Sequence, residues 1–587
     1  MQIAYAQFSG RKDVNPKLTC TQDLWTGAIK PETSRKADAS MISLVGLLSC
    51  AFALLSPIAY ARPNVVILLA DNLGYHDVGT FRTNFVDATG RRHGSRTVRT
   101  DALADEGMKF LNWNSPAVLC SASRAALMTG RYPVRTGVYP RVFEPDAELG
   151  LLANETTIAD HLREEGYATK IVGKWHLGSR PGFLPTDRGF DSWFGIPYHM
   201  SGGSLDGHLC GEQKDPNGTN WLPLFDEQSI VEQPVDLRSL APRYVESARE
   251  FIEEHADGGT PFFLYVAFSH PVPWGLRRGL WRRRRGDGLG PRRRSRRPKG
   301  RRRRGRDARR LHERQRPVDR RAELFWFEGR IRSIVAPRER RPVLHGVSVG
   351  VQPGAPPGRA AEVRFEIEGV PCGEDSGLGS AWEANVRMPG IVRWPGRVPA
   401  GVASEDLVST LDVLPTVLGI IGREIPEAVD GVDVKDVFLG DKIAGSDDPE
   451  PERPIFFWRD GFKEGPLPKP FGRFDVVAMK LGRIKLWFYT KSSHYNADEE
   501  VHHDPPLLFD VMNDPGEALP LDPSEHAELI NRAGTLLKEH KDSVDWTSPL
   551  TLARDEKYLP CSNAENRCRT VAQITNEGVD PAVTEQG

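Results

Sequence analysis

Three apolar runs that each close on polar residues constrain this chain more than anything else in it. Pro63-Asn-Val-Val-Ile-Leu-Leu-Ala70 closes on Asp71-Asn72-Leu73-Gly74, Tyr167–Val172 on Gly173-Lys174-Trp175-His176, and Pro261–Phe268 on Ser269-His270-Pro271. A run this continuous fits a strand buried on both faces of a parallel sheet. Stretches with helical spacing at Thr100–Gly107, Thr157–Glu165 and Pro242–His255 alternate with them, so the chain reads as α/β. Ligands of open α/β sheets bind beyond the carboxyl ends of the strands, which is where Asp71 and Asn72 stand.

Residue types at these ends narrow the chemistry. Asp71 and Asn72 offer paired oxygens that suit a hard cation such as Ca²⁺, though an Asx turn would use the same residues. Lys174 and His176 are two apart, cannot share a helix face, and project from a loop, either into a cleft or to solvent. A lone histidine after a strand, such as His270, is more often structural. The run Leu119-Cys-Ser-Ala-Ser-Arg-Ala-Ala-Leu-Met-Thr-Gly-Arg131 places Cys120 at a loop-to-helix junction. There the free N–H groups of a helix start favour anions, and Arg124, one turn on, adds a fork of donors for a tetrahedral oxyanion. A buried cysteine before an ordinary helix is the plainer alternative.

The Cys120 run resembles the activating signature of the type I, formylglycine-dependent sulfatases, Cys-x-Pro-x-Arg followed by Thr-Gly-Arg, with Ala122 where that family has proline. Gly173-Lys-Trp-His-Leu-Gly178 resembles a second signature of the family. Val386–Gly396 and Leu508-Phe-Asp510 with Asp514-Pro-Gly-Glu517 resemble later stretches of it. The resemblance implies an alkaline-phosphatase-like α/β domain, with a large mixed sheet between helices, and a smaller C-terminal α+β domain. It implies an arylsulfatase-like hydrolase of aryl or carbohydrate sulfate esters. By the same resemblance, Cys120 is expected to become formylglycine, Asp71, Asn72 and that residue to bind Ca²⁺, Arg124, Lys174 and His176 to contact sulfate, and His270 to protonate the leaving oxygen or hold the sulfate. Implied partners are a sulfated small molecule or glycan and the formylglycine-generating enzyme, with no nucleic acid. Gly195-Ile-Pro-Tyr198 also resembles the family, which often has serine next; here it is His199, to which no role carries over.

Composition matters in one place. The formal net charge of the 587 residues is −1, yet Arg277–Arg341 holds about 28 of the 78 Lys+Arg and about 7 of the 79 Asp+Glu, leaving about −22 for the rest. A segment this basic, rich in Gly and Pro, cannot bury enough surface to fold alone. It reads either as a polyanion-binding arm or as a misread frame or retained intron. The second reading is preferred because residues 275–376 stand where the family carries an Asp-Asn metal pair and a Gly-Lys, neither of which is recognisable. Leu378 falls where the lysine belongs.

Met41–Leu55 followed by Ala59-Tyr60-Ala61 reads as a signal peptide over residues 41–61, with a membrane anchor as the alternative, although the run is short and broken by Ser56-Pro57. Residues 1–40 then read as a non-native extension, and no stable membrane span is expected after cleavage. Cys210, Cys372, Cys561 and Cys568 are an even set suited to an oxidising compartment, the last two close enough to pair. Sequons at Asn154 and Asn217 agree with secretion or a lysosomal destination. The expected order is a catalytic domain over 62–440, a small C-terminal domain over 453–550 and a tail over 551–587. Two other readings stay open: a phosphate or phosphonate ester hydrolase of the same fold, and an inactive sulfatase-like protein that lacks half its metal site.

Overall fold

The computed structural model describes residues 62–81, 97–200, 222–256, 259–269, 379–441, 453–460, 471–491, 500–546 and 548–565, with short pieces at 7–9, 202–205, 208–209, 465–468 and 568–570. The signal peptide, His270, the tract 275–376, Cys210, Cys372 and Asn217 lie outside these residues.

The three apolar runs form adjacent parallel strands. Asn64–Leu69 pairs with Phe262–Ala267, which pairs with Ala168–Gly173, and the parallel Ser192–Gly195 follows. Leu224–Asp226 and Ser229–Glu232 extend the sheet antiparallel, and Gln7–Ser9, from within the stretch read as an extension, pairs antiparallel with Asn64–Val66 at the other edge. The result is a seven-stranded mixed sheet.

Successive side chains of a strand point to opposite faces, and Phe262–Ala267 shows what each face meets. Phe262 packs on Phe251 of the helix Leu237–Ala256, with ring centroids 5.6 Å apart. Phe263 and Tyr265 face Phe190, and the Tyr265 hydroxyl accepts from Arg124 at 3.5 Å. The sheet therefore lies between helices, with the Cys120 helix on the Tyr265 side.

A second sheet centres on Met108–Asn114, the strand that feeds the Cys120 loop; Arg387–Val392 pairs with it antiparallel, Val402–Ser404 and Val408–Ser409 parallel. The apolar stretch Thr410–Ile421 becomes helical only part-way along, with Pro415 near the helix start. Thr410–Asp412 is a 3₁₀ turn and the α-helix runs Val413–Ile421, with proline in its first turn. Pro242 is likewise tolerated near the start of Leu237–Ala256, a helix that begins earlier than its apolar spacing indicates.

The C-terminal unit is a four-stranded antiparallel sheet, Pro454–Arg459, Asp475–Leu481, Ile484–Lys491 and Glu500–Asp510, covered by the helix Ala527–Asp542. His540 of that helix stacks on Phe456 and accepts from Trp458 Nε1 at 3.2 Å. Buried charge joins this sheet to the larger unit. Lys480 Nζ lies 2.8 Å and Lys485 Nζ 3.1 Å from the Glu383 carboxylate, and Lys485 also pairs with Glu517 at 3.2 Å. Cys561 and Cys568 form a disulfide in the segment after the helix.

Candidate active site

The Cys120 helix, Cys120–Thr129, is buried along its whole length and ends on Gly130, whose φ of 66° suits a residue without a side chain. Its first residue is the cysteine, with no side-chain cap to occupy the free N–H groups. Cys120 Sγ lies 3.9 Å from Asp71 Oδ1. One turn along, Arg124 is 1% exposed. Its guanidinium donates to the Lys174 carbonyl and stands 3.7 Å from Asp71 Oδ2.

The Lys174–His176 loop leaves the strand Ala168–Gly173 through Gly173, where a Cβ would sit 1.9 Å from the Ala267 carbonyl oxygen, so only glycine fits. Backbone bonds from Lys174 to Ala267 and from Trp175 and His176 to Ile196 and Pro197 then pin the loop between neighbouring strand ends. Lys174 Nζ reaches Asp71 Oδ2 at 2.5 Å. His176 takes a φ of 61° and Asn72 one of 62°, left-handed conformations that non-glycine residues adopt at a cost.

The electrostatics follow from burial. Burial alone would raise the Asp71 pKa, but Lys174 and then Arg124 outweigh it and hold the carboxyl below its ordinary value. Burial, helped by Lys174, His199 and Arg124, pushes the His176 imidazole well below its ordinary value, so it is neutral. Its Nε2 sits 3.1 Å from the Phe143 carbonyl and must carry the hydrogen, which leaves Nδ1, buried and without a hydrogen-bond partner among the described residues, as a bare lone pair. Phe143 is tied back to the Cys120 helix, its N–H donating to Ser121 Oγ at 3.0 Å. Among the described residues, two buried cations, Lys174 and Arg124, face the single Asp71 carboxylate beside Cys120.

The structure thus brings together Asp71, Cys120, Arg124, Lys174 and His176; His270 is outside the described residues. Sequence reasoning missed four contributors: Tyr265, Ser121, the Phe143 carbonyl and the pair Glu144–His199. His199 Nε2 lies 3.3 Å from Glu144 Oε2, and its ring packs edge-on against His176 with centroids 5.8 Å apart. Only the unusual His199 after Gly195-Ile-Pro-Tyr198 gave a signal.

Residues 63–276 match the sulfatase family model. The match continues over 380–448 with the C-terminal model of N-sulphoglucosamine sulphohydrolase and over 450–570 with the C-terminal region of aryl-sulfatase. Human arylsulfatase G is 32% identical over 530 residues, which cover 86% of this chain and 91% of that one. The chain belongs to the sulfatase family. Mouse arylsulfatase G, 31% identical over 86% of this chain and 93% of its own, and human arylsulfatase A, 31% identical over 80% and 85%, agree. Among solved structures, the PsFucS1 sulfatase from Pseudoalteromonas shares the fold at a TM-score of 0.55 and 19% identity, covering 87% of this chain and 96% of that one. The sulfatase match ends at residue 276 and the next begins at 380, so the two bracket the arginine-rich tract. The protein is a sulfuric ester hydrolase with the α/β architecture of its family.

Calcium does not fit on the described donors alone. Asp71 and Asn72 bring one carboxylate and one amide, against the roughly six to eight oxygens Ca²⁺ takes. Lys174 already occupies one Asp71 oxygen. Among the described residues no three His, Cys, Asp or Glu side chains converge to hold a metal.

Proposed function

We propose that this sulfatase cleaves aryl or carbohydrate sulfate monoesters with a nucleophile made from Cys120. One observation carries the reading: Cys120, at an uncapped helix start, shares the Asp71 carboxylate with buried Lys174 and Arg124. Formylglycine made from Cys120 supplies a hydrated aldehyde, with one hydroxyl to take the sulfuryl group and a second whose loss of a proton expels sulfate. Arg124 and Lys174 bind the ester's sulfate oxygens and spread their charge as the S–O bond breaks. His176 accepts a proton at Nδ1, the position its tautomer leaves bare. His270 is assigned to the leaving oxygen by resemblance only.

The charge balance favours sulfate over phosphate. Beside Cys120 the two buried cations outnumber the one described carboxylate by one charge, which matches a monoanionic sulfate monoester, whereas a phosphate monoester is largely dianionic at neutral pH. Comparing the turnover of an aryl sulfate and an aryl phosphate, each against C120A, tests this. Faster C120-dependent release from the phosphate would overturn it.

The family's Ca²⁺ would need ligands beyond Asp71 and Asn72. Residues 275–376 are taken as a misread segment, which transcript sequencing across codons 270–380 checks. A secretory route, to the lysosome or outside, is supported by the apolar run before Ala61, the Cys561–Cys568 disulfide and the exposed sequon residue Asn154. Among the described residues no helix is long and apolar enough to cross a membrane. Maturation then requires the formylglycine-generating enzyme as a partner.

A further inference from the structure

The segment after the C-terminal helix, read from sequence as a tail, runs back across the large domain. Leu550 N–H donates to the Gly137 carbonyl at 2.9 Å and Thr551 Oγ1 to the Tyr139 carbonyl at 2.6 Å. Three residues on, Ala147 and Arg554 form an antiparallel bridge, Glu148 N–H donates to the Ala553 carbonyl at 2.9 Å and Asp555 N–H to the Asp146 carbonyl at 3.0 Å. Arg554 grips the Asp146 carboxylate with two bonds, 2.7 and 3.1 Å. The strap is anchored beyond this point as well. Arg180 lies over the Tyr558 ring at 3.7 Å, Gln233 exchanges side-chain bonds with Pro560 and Ser562, and the disulfide closes the end.

These anchors fall on both sides of one short stretch. The first pair holds residues 137 and 139, the second holds 146 to 148, and between them stand Phe143 and Glu144. Phe143 is the residue whose carbonyl fixes the His176 tautomer, and Glu144 the one whose carboxylate holds His199 against His176. Among the described residues, the charged and titratable groups around His176 are Lys174, Arg124 and His199. Of these, only His199 depends on the strapped loop, because Arg124 and Lys174 are placed by the Cys120 helix and the sheet.

We infer that the strap of residues 548–560 is a positioning element of the active site, with Arg554 and Thr551 fixing the Phe143–Glu144 loop that orients His176. The inference rests on the reading that His176 serves the reaction. Strap and sulfate-holding groups belong to separate parts of the chain, so loosening the strap disorders His176 while the anion site stays built. Neither Arg554 nor Thr551 hydrogen-bonds to Cys120, Lys174 or His176; Arg554 acts on the Glu144 carboxylate only through its charge.

Histidine C2–H exchange, followed by mass spectrometry on the full-length protein, reads individual imidazoles without requiring turnover. R554A and the double variant T551V/R554A are compared with the parent, and the charge swap D146R/R554D serves as rescue. Exchange at His176 is expected to rise about three- to tenfold in the variants and return towards the parent in the swap. His161, a buried histidine in a helix away from the strap, is expected to stay unchanged. Unaltered exchange at His176 in both variants, or an equal rise at His161, overturns the inference. The His176 reading fails separately: an H176N protein that hydrolyses aryl sulfate like the parent removes it, whatever the exchange shows.

Discussion

Lys174 Nζ and Asp71 Oδ2 are 2.5 Å apart with their side chains 3% and 2% exposed, and Arg124 Nη2 approaches the same oxygen at 3.7 Å. Taking one member from a buried ion pair leaves an uncompensated charge, at a cost of about 3–5 kcal/mol. D71N, which strands two cations, is expected to lower the melting temperature sharply. Added sulfate should recover more of the loss in D71N than it adds to the parent, because an anion bound only by the folded state stabilises it. Calorimetry with and without sulfate checks both; a D71N protein as stable as the parent would remove Asp71 from the charge balance.

The imidazoles of His176, His161 and His540 are all pushed down, first by burial, His540 to about 3. A histidine depressed in the folded state takes up a proton more readily when unfolded. Its contribution is therefore complete above about pH 6.5 and is lost as pH falls from there towards the folded value. Thermal stability is expected to fall between pH 7 and pH 5. His540 accepts from Trp458 Nε1 only while neutral, so H540Q, which keeps an acceptor and does not titrate, should flatten the profile. A profile that stays as steep in H540Q would assign the loss to other groups.

Ala122 lines a small apolar cleft with Leu119, Tyr139, Trp458 and Phe474. It sits in the first turn of its helix, where a proline loses no obligatory hydrogen bond. A122P fills the cleft and restores the family's residue. The expected gain is about 0.4–1 kcal/mol, seen as a higher melting temperature, with a larger converted fraction of Cys120. A lower melting temperature would show that the backbone there cannot take proline.

The charge cluster at Glu383 ties the C-terminal sheet to the large unit with Lys480 and Lys485, all fully buried. K480M leaves Glu383 with one cation in place of two and is expected to cost up to about 3–5 kcal/mol. Denaturation with one probe in each unit, Trp487 for the small sheet and Trp113 for the large unit, should show the two transitions separating. Transitions that stay coincident would mean apolar packing alone holds the units together.

The sequence made the local features readable and the long-range ones opaque. Apolar runs located three of the parallel strands to within a residue or two, because strands buried on both faces admit few polar residues, while the short parallel strand Ser192–Gly195 carried no such run. Cys120 at a helix start and Arg124 one turn on follow from spacing within a single element. Lys480 and Lys485 could not be read, since a lysine between apolar neighbours on a strand ordinarily faces water, and their burial is made tolerable by carboxylates from elsewhere in the chain, Glu383, about 100 residues away, and Glu517. The same holds for Tyr265 beside Arg124 and for the strap on the Phe143 loop, contacts set by chain crossing rather than by pattern.

The state of Cys120 tests the nucleophile most directly. Protein made in a secretory host that carries the formylglycine-generating enzyme is digested with trypsin, and the peptide Phe110–Arg124 is weighed and treated with an aldehyde-reactive hydrazide. The expected result is a peptide lighter than the cysteine form by the change from –CH₂SH to –CHO and captured by the hydrazide, with both signals absent in C120A. A peptide that carries only an unmodified, alkylatable thiol would contradict Cys120 as the source of the nucleophile.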